Sequence, residues 1–181
     1  MKWIKIVLGS LLGLIVVCAL VLFAMGTTRD ANRMTNSIVI HQKPEVVWPW
    51  LYKTDKVKQW VSWLVEIRED GSGEPYVGGK AVWVMEDRNN NNARMEITGV
   101  VTGLEPGRRI QVALSAPEGF HGTNTYTLTT LPDGSTRLDS DARYDFENAF
   151  ARFMTPVICW QAKKKMNEDM DHLRSLVENA K

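Results

Sequence analysis

Little in this chain speaks for covalent or metal chemistry. Its two cysteines are Cys18, in an apolar run near the amino terminus, and Cys159, in a helical stretch near the other end. They are not expected to meet, so no disulfide framework follows and the redox compartment is not readable from them. The three histidines, His41, His121 and His172, are not spaced with one another, with cysteine or with carboxylates as zinc ligands are. There is no nucleophile elbow and no phosphate loop, and neither Ser115 nor Cys159 has an evident base partner. An excess of one charge is missing too. Lys and Arg total 22 against 21 Asp and Glu, a net charge of +1, which gives no electrostatic case for nucleic acid. No cofactor and no metal is implied.

What the chain does have is a long uncharged run. Residues 6–25 contain no charged side chain. Twenty apolar residues at a rise of about 1.5 Å make about 30 Å of helix, the thickness of a bilayer's hydrocarbon core. Lys2 and Lys5 precede the run, Arg29 and Arg33 follow it, and Trp3 stands where an interfacial anchor would. A cleaved signal peptide would have a shorter apolar region ending in a small-x-small site, which neither Phe23-Ala24-Met25 nor Cys18-Ala19-Leu20 supplies. Lipoprotein cleavage before Cys18 would leave Val17 at an unfavourable position. The expectation is an uncleaved, single-pass transmembrane anchor over residues 1–25, a polar linker over 26–36 and one domain over 37–181. Lys2, Lys5 and the amino terminus, against Arg29 and Arg33, favour a domain outside the cytoplasm. A linker of that length reaches only about 36 Å, so the domain is held near the lipid.

The rest of the chain reads as strands between helices. Residues 37–40 are a short β-rich run, and Lys43-Pro44-Glu45 reads as a helix start with proline in the first turn. Val47, Trp50, Leu51 and Val57 make an apolar stripe over that helix and a second short one at 53–59. Strands follow at 64–68, 81–85, 94–104, 110–115, 123–130 and 136–146. The asparagine tract 89–92 reads as a hairpin turn, and Glu105-Pro106-Gly107 as a tight turn of the type that places Pro before Gly. In "DGSTRLDSDARYDFE", residues 133–147, Thr136, Leu138, Ser140, Ala142, Tyr144 and Phe146 alternate with charged residues, the pattern of a half-buried strand. Parity likewise joins Met95 to Ile97 and turns Glu96 outward. Strands joined by short turns make an antiparallel meander. From residue 147 on, Met166, Met170, Leu173 and Val177 recur at helical spacing, with Pro156 expected to kink the helix or mark its start.

The order is one strand, two short helices, six strands and a long helix. It resembles the helix-grip fold of the START-like, polyketide cyclase/dehydrase and birch-pollen-allergen superfamily (SRPBCC). "SIVIHQKPEVVWPWLYKTDKVKQW" is similar to the family's opening strand, its helix entered through proline and its helix ending near Trp. "VTGLEPGRRIQV" resembles its strand, Pro-Gly turn and strand, and "YTLTTLPDGSTRLDSDARYDF" its final hairpin. The resemblance covers residues 36–177 and leaves out the anchor. It implies an α+β fold, a curved antiparallel sheet of about seven strands gripping a long C-terminal helix, with a cavity between them.

The resemblance carries no shared catalytic motif. Together with the short tether to the expected anchor, it implies a membrane-anchored module that binds or carries a hydrophobic small molecule, lipid or quinone-like. An enzyme of the cyclase/dehydrase kind, with Tyr126, Tyr144 or His121 as acid-base groups, is the second reading, and a structural domain with a solid core the third. Expected cavity-wall residues are Trp83, Met85, Met95 and Ile97 on two strands. Tyr126 and Leu128, then Tyr144 and Phe146, come from two more. Phe150, Met154 and Ile158, with Phe153, belong to the helix. Each taken singly also fits plain core. Of the seven tryptophans, Trp48, Trp50, Trp60 and Trp63 cluster around the short helices, as core or at a cavity mouth near the membrane. His121 reads as a surface loop residue.

Overall fold

In a computed structural model the backbone of residues 2–26, 30–69, 73–87, 91–117 and 119–180 is described. Helix α1 spans Lys2–Gly26 and lies against the long C-terminal helix. Its side chains are described over residues 3–4, 6–18 and 20–21. Among the described residues no helix is long and apolar enough to cross a membrane.

Strand β1, Arg33–Ile40, begins inside the segment expected as linker. The reason is its pairing: Arg33 lies opposite Arg143 and Met34 opposite Ala142, Met34 is buried, and the Arg33 guanidinium donates to both carboxylate oxygens of Asp141 at 2.9 and 2.6 Å. The expected helix after Pro44 is short. It runs Pro44–Val47 (α2) and tightens into a 3-10 turn over Trp48–Leu51, because Pro49 cannot donate to a helical ladder. Helix α3 is Thr54–Trp60. Val47, Trp50, Leu51 and Val57 are all buried, so the expected stripe faces inward. Trp48 and Trp60 are buried with them, and the Trp60 indole N–H donates to the Trp50 carbonyl at 2.8 Å.

The meander follows as β2 (Leu64–Glu69), β3 (Lys80–Asp87), β4 (Ala93–Glu105), β5 (Arg109–Ala116), β6 (Phe120–Thr130) and β7 (Thr136–Phe146). All pairs are antiparallel, and the spatial order β1-β7-β6-β5-β4-β3-β2 carries β1 across to the far edge beside β7. At the turn before β5, Gly107 has φ 75° and the Arg108 N–H donates to the Glu105 carbonyl at 2.9 Å, a conformation in which a side chain would be strained. Residues 89 and 90 of the asparagine tract lie outside the described set. Asn91 and Asn92 take left-handed φ values of 50° and 55°, as turn asparagines do. The register shifts between Val101 and Gly103, a bulge that bends β4.

Helix α4, Ala149–Asn179, starts two residues later than its periodicity suggests. Asn148 is its cap, accepting from the backbone N–H groups of Phe150 at 2.9 Å and Ala151 at 3.2 Å, which satisfies donors that the first turn cannot. Pro156 sits inside the helix and is buried, so it neither begins nor ends it. Met170, Leu173 and Val177 of α4 and Ile40 and Leu138 of the sheet are fully buried in one cluster. Burying side chains of this size contributes about 1.5–3 kcal/mol each.

One polar contact pins α4 to the opposite end of the sheet. Asp169, buried on α4, accepts from the Ser62 hydroxyl at 2.6 Å and lies 3.5 Å from the Lys165 ammonium. Lys165 also donates to the Ser62 hydroxyl and sits 4.6 Å from the centroid of the Trp63 ring. We expect Asp169→Ala to lower the unfolding free energy by about 1–3 kcal/mol, the cost of stranding a half-buried hydroxyl and ammonium. Denaturant unfolding checks this, and Asp169→Asn should recover part of the loss.

Candidate ligand pocket

Helix α4 packs on β1 and β7 and leaves the other half of that face of the sheet uncovered by α4. There lies an apolar pocket of about 110 Å³. Its floor is made by Trp83 of β3, Gly99 and Val101 of β4, Ile110 and Val112 of β5, and Tyr126 of β6. Its walls are Leu51, Tyr52 and Val57, from the 3-10 turn to α3, and its rim is Glu69 with the 73–80 segment. No residue of α4 lines it. The expected cavity between sheet and C-terminal helix is thus displaced towards β3–β6, because the helix fills the β1–β7 side.

The rim is tied across its width. The Tyr52 hydroxyl donates to Glu74 at 3.1 Å, and the Thr54 hydroxyl donates to Glu69. The base of the 73–79 segment is held to β4: the Gly78 N–H donates to the Val101 carbonyl at 2.8 Å, and the Val101 N–H to the Gly79 carbonyl at 3.0 Å. The floor at Gly99 is tight, since a methyl group there would come within 3.1 Å of Val112 Cγ1.

Of the residues expected to line a cavity, Trp83 and Tyr126 do so. Ile97 and Leu128 are buried core, and Met85 packs at the edge of the same cluster. Met95, near the β3–β4 hairpin end, is 42% exposed; few neighbours remain there to cover an inward parity position. Tyr144 belongs to packed core, shared between the main cluster and the one around Met34, Ala142 and Cys159. Its ring meets Phe120 edge-on at 5.1 Å, across Gly122, where a Cβ would stand 2.9 Å from Tyr144 Cδ1. Phe146 lies against the other side of Phe120 at 5.6 Å. Met154 and Ile158 are half-buried on α4, Phe153 is at its surface and Phe150 is 72% exposed. The strand 136–146 therefore looks at helix and core: its Ser140 hydroxyl lies 3.5 Å from Met166 Sδ.

The pocket residues that the sequence reading missed come from two sources. Leu51, Tyr52 and Val57 belong to the stripe assigned to the core, and periodicity does not distinguish a core face from a cavity face. Asn124 is different. It shares strand parity with Tyr126 and Leu128, so an inward-facing amide was there to be read. Asn124 lines the pocket, opposite Val112 and Ala142 in the ladder.

Acid-base groups are sparse here. Burial pushes the Tyr126 phenol far up, with Tyr144 and Asp169 adding to it. Burial also raises Tyr144, against a hydrogen bond from Asn124 that works the other way. Tyr52 is raised by burial and by its bond to Glu74. The third candidate acid-base group, His121, is exposed on β6 and 3.0 Å from Glu147. Glu96 is exposed and 2.9 Å from Arg68, outward as parity implies. Among the described residues no three His, Cys, Asp or Glu are grouped to hold a metal.

The comparisons follow the geometry. A family model described as polyketide cyclase / dehydrase and lipid transport matches residues 31–178. No curated protein matches the chain significantly in sequence. Among solved structures, a Chromobacterium violaceum protein is similar at 18% identity and TM-score 0.64, over 81% of this chain and 97% of its own. A Nitrosomonas europaea protein is similar at 15% and 0.65, over 85% and 99%, and a Staphylococcus aureus protein of unknown function at 17% and 0.64, over 82% and 94%. At such identities the likeness is one of fold.

The buried phenols give a pH prediction. A raised native pKa means that the folded state holds its proton more tightly than the unfolded chain. The associated stability is complete below the unfolded value, about 10 for tyrosine, and is lost as pH rises above it. Spectrophotometric titration should show the phenolate absorbance of Tyr126 and Tyr144 emerging together with alkaline unfolding. Reversible ionisation of both in the folded protein would place them in water.

Proposed function

The chain belongs to the polyketide cyclase/dehydrase and lipid transport family, and from that premise we propose that it is a binding or carrier module for a hydrophobic small molecule, held at a membrane by its first helix. The observation that carries the binding part is the pocket over β3–β6, apolar on its floor and walls and bordered at its open rim by the Tyr52–Glu74 hydrogen bond. Within it stand phenols that burial keeps protonated. A general base must titrate near the working pH to be useful, and the carboxylates at the rim, Glu69 and Glu74, are engaged by Thr54 and Tyr52. Binding is favoured over a cyclase-like reaction on that ground.

Three features support the membrane part. Helix α1 is 25 residues long, and residues 6–25 carry no charge. On α4, which α1 lies against, Phe150 and Trp160 are 72% and 67% exposed with Phe153 between them, and Arg152, Lys163 and Lys164 are close in sequence. Aromatic and basic side chains together suit the interfacial zone of a bilayer. Arg33, moreover, is committed to Asp141 within β1. That leaves Arg29 alone to oppose Lys2, Lys5 and the amino terminus, which favours the domain outside the cytoplasm.

Two measurements check this reading. The full chain should resist carbonate extraction with its initiator end intact, and a mature amino terminus near Gly26 would remove the anchor. An apolar fluorescent probe should bind the full chain in lipid nanodiscs and be displaced when Val112→Trp fills the pocket. Tyr144→Ala should leave probe affinity within about twofold and cost about 3–5 kcal/mol of stability, as truncation of a packed aromatic does.

A further inference from the structure

Charge is divided along α4. Residues 149–167 carry four basic side chains and no acidic one, whereas residues 168–179 carry four acidic side chains and Arg174. The whole chain is balanced, 22 basic against 21 acidic, so the division is local. The basic half is also the aromatic half. Phe153 and Trp160 are seven residues apart and lie within about 20° of each other around the helix axis. Phe150 stands three residues before Phe153, and Lys163 and Lys164 stand three and four after Trp160, the spacings at which helical side chains are neighbours. Arg152 and Lys163, eleven residues apart, share one flank of the aromatic stripe.

These cations lack what the others have. Among the described residues, every arginine but Arg152 is ion-paired to an acidic side chain, and Lys163 and Lys164 form no such pair either. The fourth base, Lys165, is turned to Asp169 and Ser62. Acids near the start of α4 are taken elsewhere: Asp141 by Arg33, Asp145 by Asn32 and Glu147 by His121. The rings are uncovered as well. Phe150 and Trp160 stay largely exposed although α1 lies against the same helix, so α1 is not their cover. A second copy of this chain is a poor one, because Asp169, Asp171 and Glu178 in the acidic half of α4 are already engaged by Ser62, Arg174 and His41. An anionic bilayer surface meets both needs. Its headgroup zone accepts aromatic rings, and each base held near it strengthens attachment about fivefold.

We propose that residues 150–164 of α4 dock on an anionic bilayer surface, with Phe150, Phe153 and Trp160 among the headgroups and Arg152, Lys163 and Lys164 on their negative charge. This inference rests on the membrane part of the reading above and deepens it. The anchor brings the domain to lipid, and the docked helix sets which face of the domain meets it.

The test uses the full chain labelled with fluorotryptophan, in nanodiscs of phosphatidylcholine with or without phosphatidylglycerol. Each nanodisc carries a headgroup-spin-labelled lipid that broadens nearby fluorine resonances, and Trp160→Phe and Trp3→Phe assign the two lines of interest. With phosphatidylglycerol present, the Trp160 line should broaden along with that of Trp3, while the line of buried Trp60 stays sharp. Lys163→Gln with Lys164→Gln should lower the ratio of docked to undocked helix about 30-fold, as two bases at about fivefold each imply, and leave Trp3 broadened. Phosphatidylcholine alone should weaken docking in the same sense. If Trp3 broadens and Trp160 stays sharp, docking is overturned and the anchor stands. If neither broadens, docking and anchor fall together. Equal broadening of Trp160 in both lipid compositions and in the double variant overturns the recognition of charge. A Trp160 line that responds to protein concentration in detergent, and not to lipid, gives the stripe to a second copy and overturns the proposal. Should the double variant not fold, the two lipid compositions compared on the unaltered chain decide alone.

Discussion

The docking of α4 on the β1–β7 side of the sheet is the constraint from which the rest follows. Met170, Leu173 and Val177 meet Ile38, Ile40 and Leu138 in a seam where three helical positions, at three- and four-residue spacing, face alternate strand positions. The seam is apolar and buried, and a polar clasp at Asp169 and Ser62 fixes where along the sheet the helix lies. A helix about 10 Å across covers only two or three strands at a spacing of about 4.8 Å. A seven-stranded sheet therefore keeps part of its concave face uncovered. The segment from Pro44 to Trp60 and the chain before β3 partly cover that part, and what they do not fill is the pocket.

The division explains why the chemistry is so one-sided. The half under α4 is buried core, and buried polar groups there are engaged: Ser140 beside Met166, Thr136 donating to the Gln42 carbonyl at 2.7 Å. The half without the helix is lined by aliphatic and aromatic side chains whose packing is incomplete. Among the described residues, charged side chains form exposed pairs such as Arg68 with Glu96 and Arg174 with Asp171. Pairs of that kind contribute little to stability, and they leave the interior to apolar contacts.

Much of the fold was legible in the sequence because periodicity reports burial directly. Alternation in 136–146 and helical spacing from Met166 to Val177 identified the two surfaces of the main seam, and a β-rich run before Pro44 placed the edge strand. Boundaries went astray where single side-chain contacts decide them: Arg33 with Asp141 lengthens β1, the Asn148 cap starts α4, and Pro49 converts a helix to a 3-10 turn. The site was less legible. Whether an inward side chain meets another side chain or a void depends on where α4 lies across the sheet, and that is set by contacts distant in sequence. Tyr144 and Tyr126 occupy like positions on adjacent strands, yet one is packed under the helix and the other lines the pocket. The anchor proposed for the first helix is a different case: it rests on the uncharged run of residues 6–25 and on no tertiary contact.

The account stands on the pocket being an open site over β3–β6 while the surface under α4 is solid. Diffraction from crystals of the protein soaked in iodobenzene tests this directly, since iodine is located by its anomalous scattering. The account predicts one iodine site among Trp83, Val112 and Tyr126, and none among Tyr144, Met166 and Leu138. Iodine lodged between α4 and β7, with the Trp83 site empty, would contradict it.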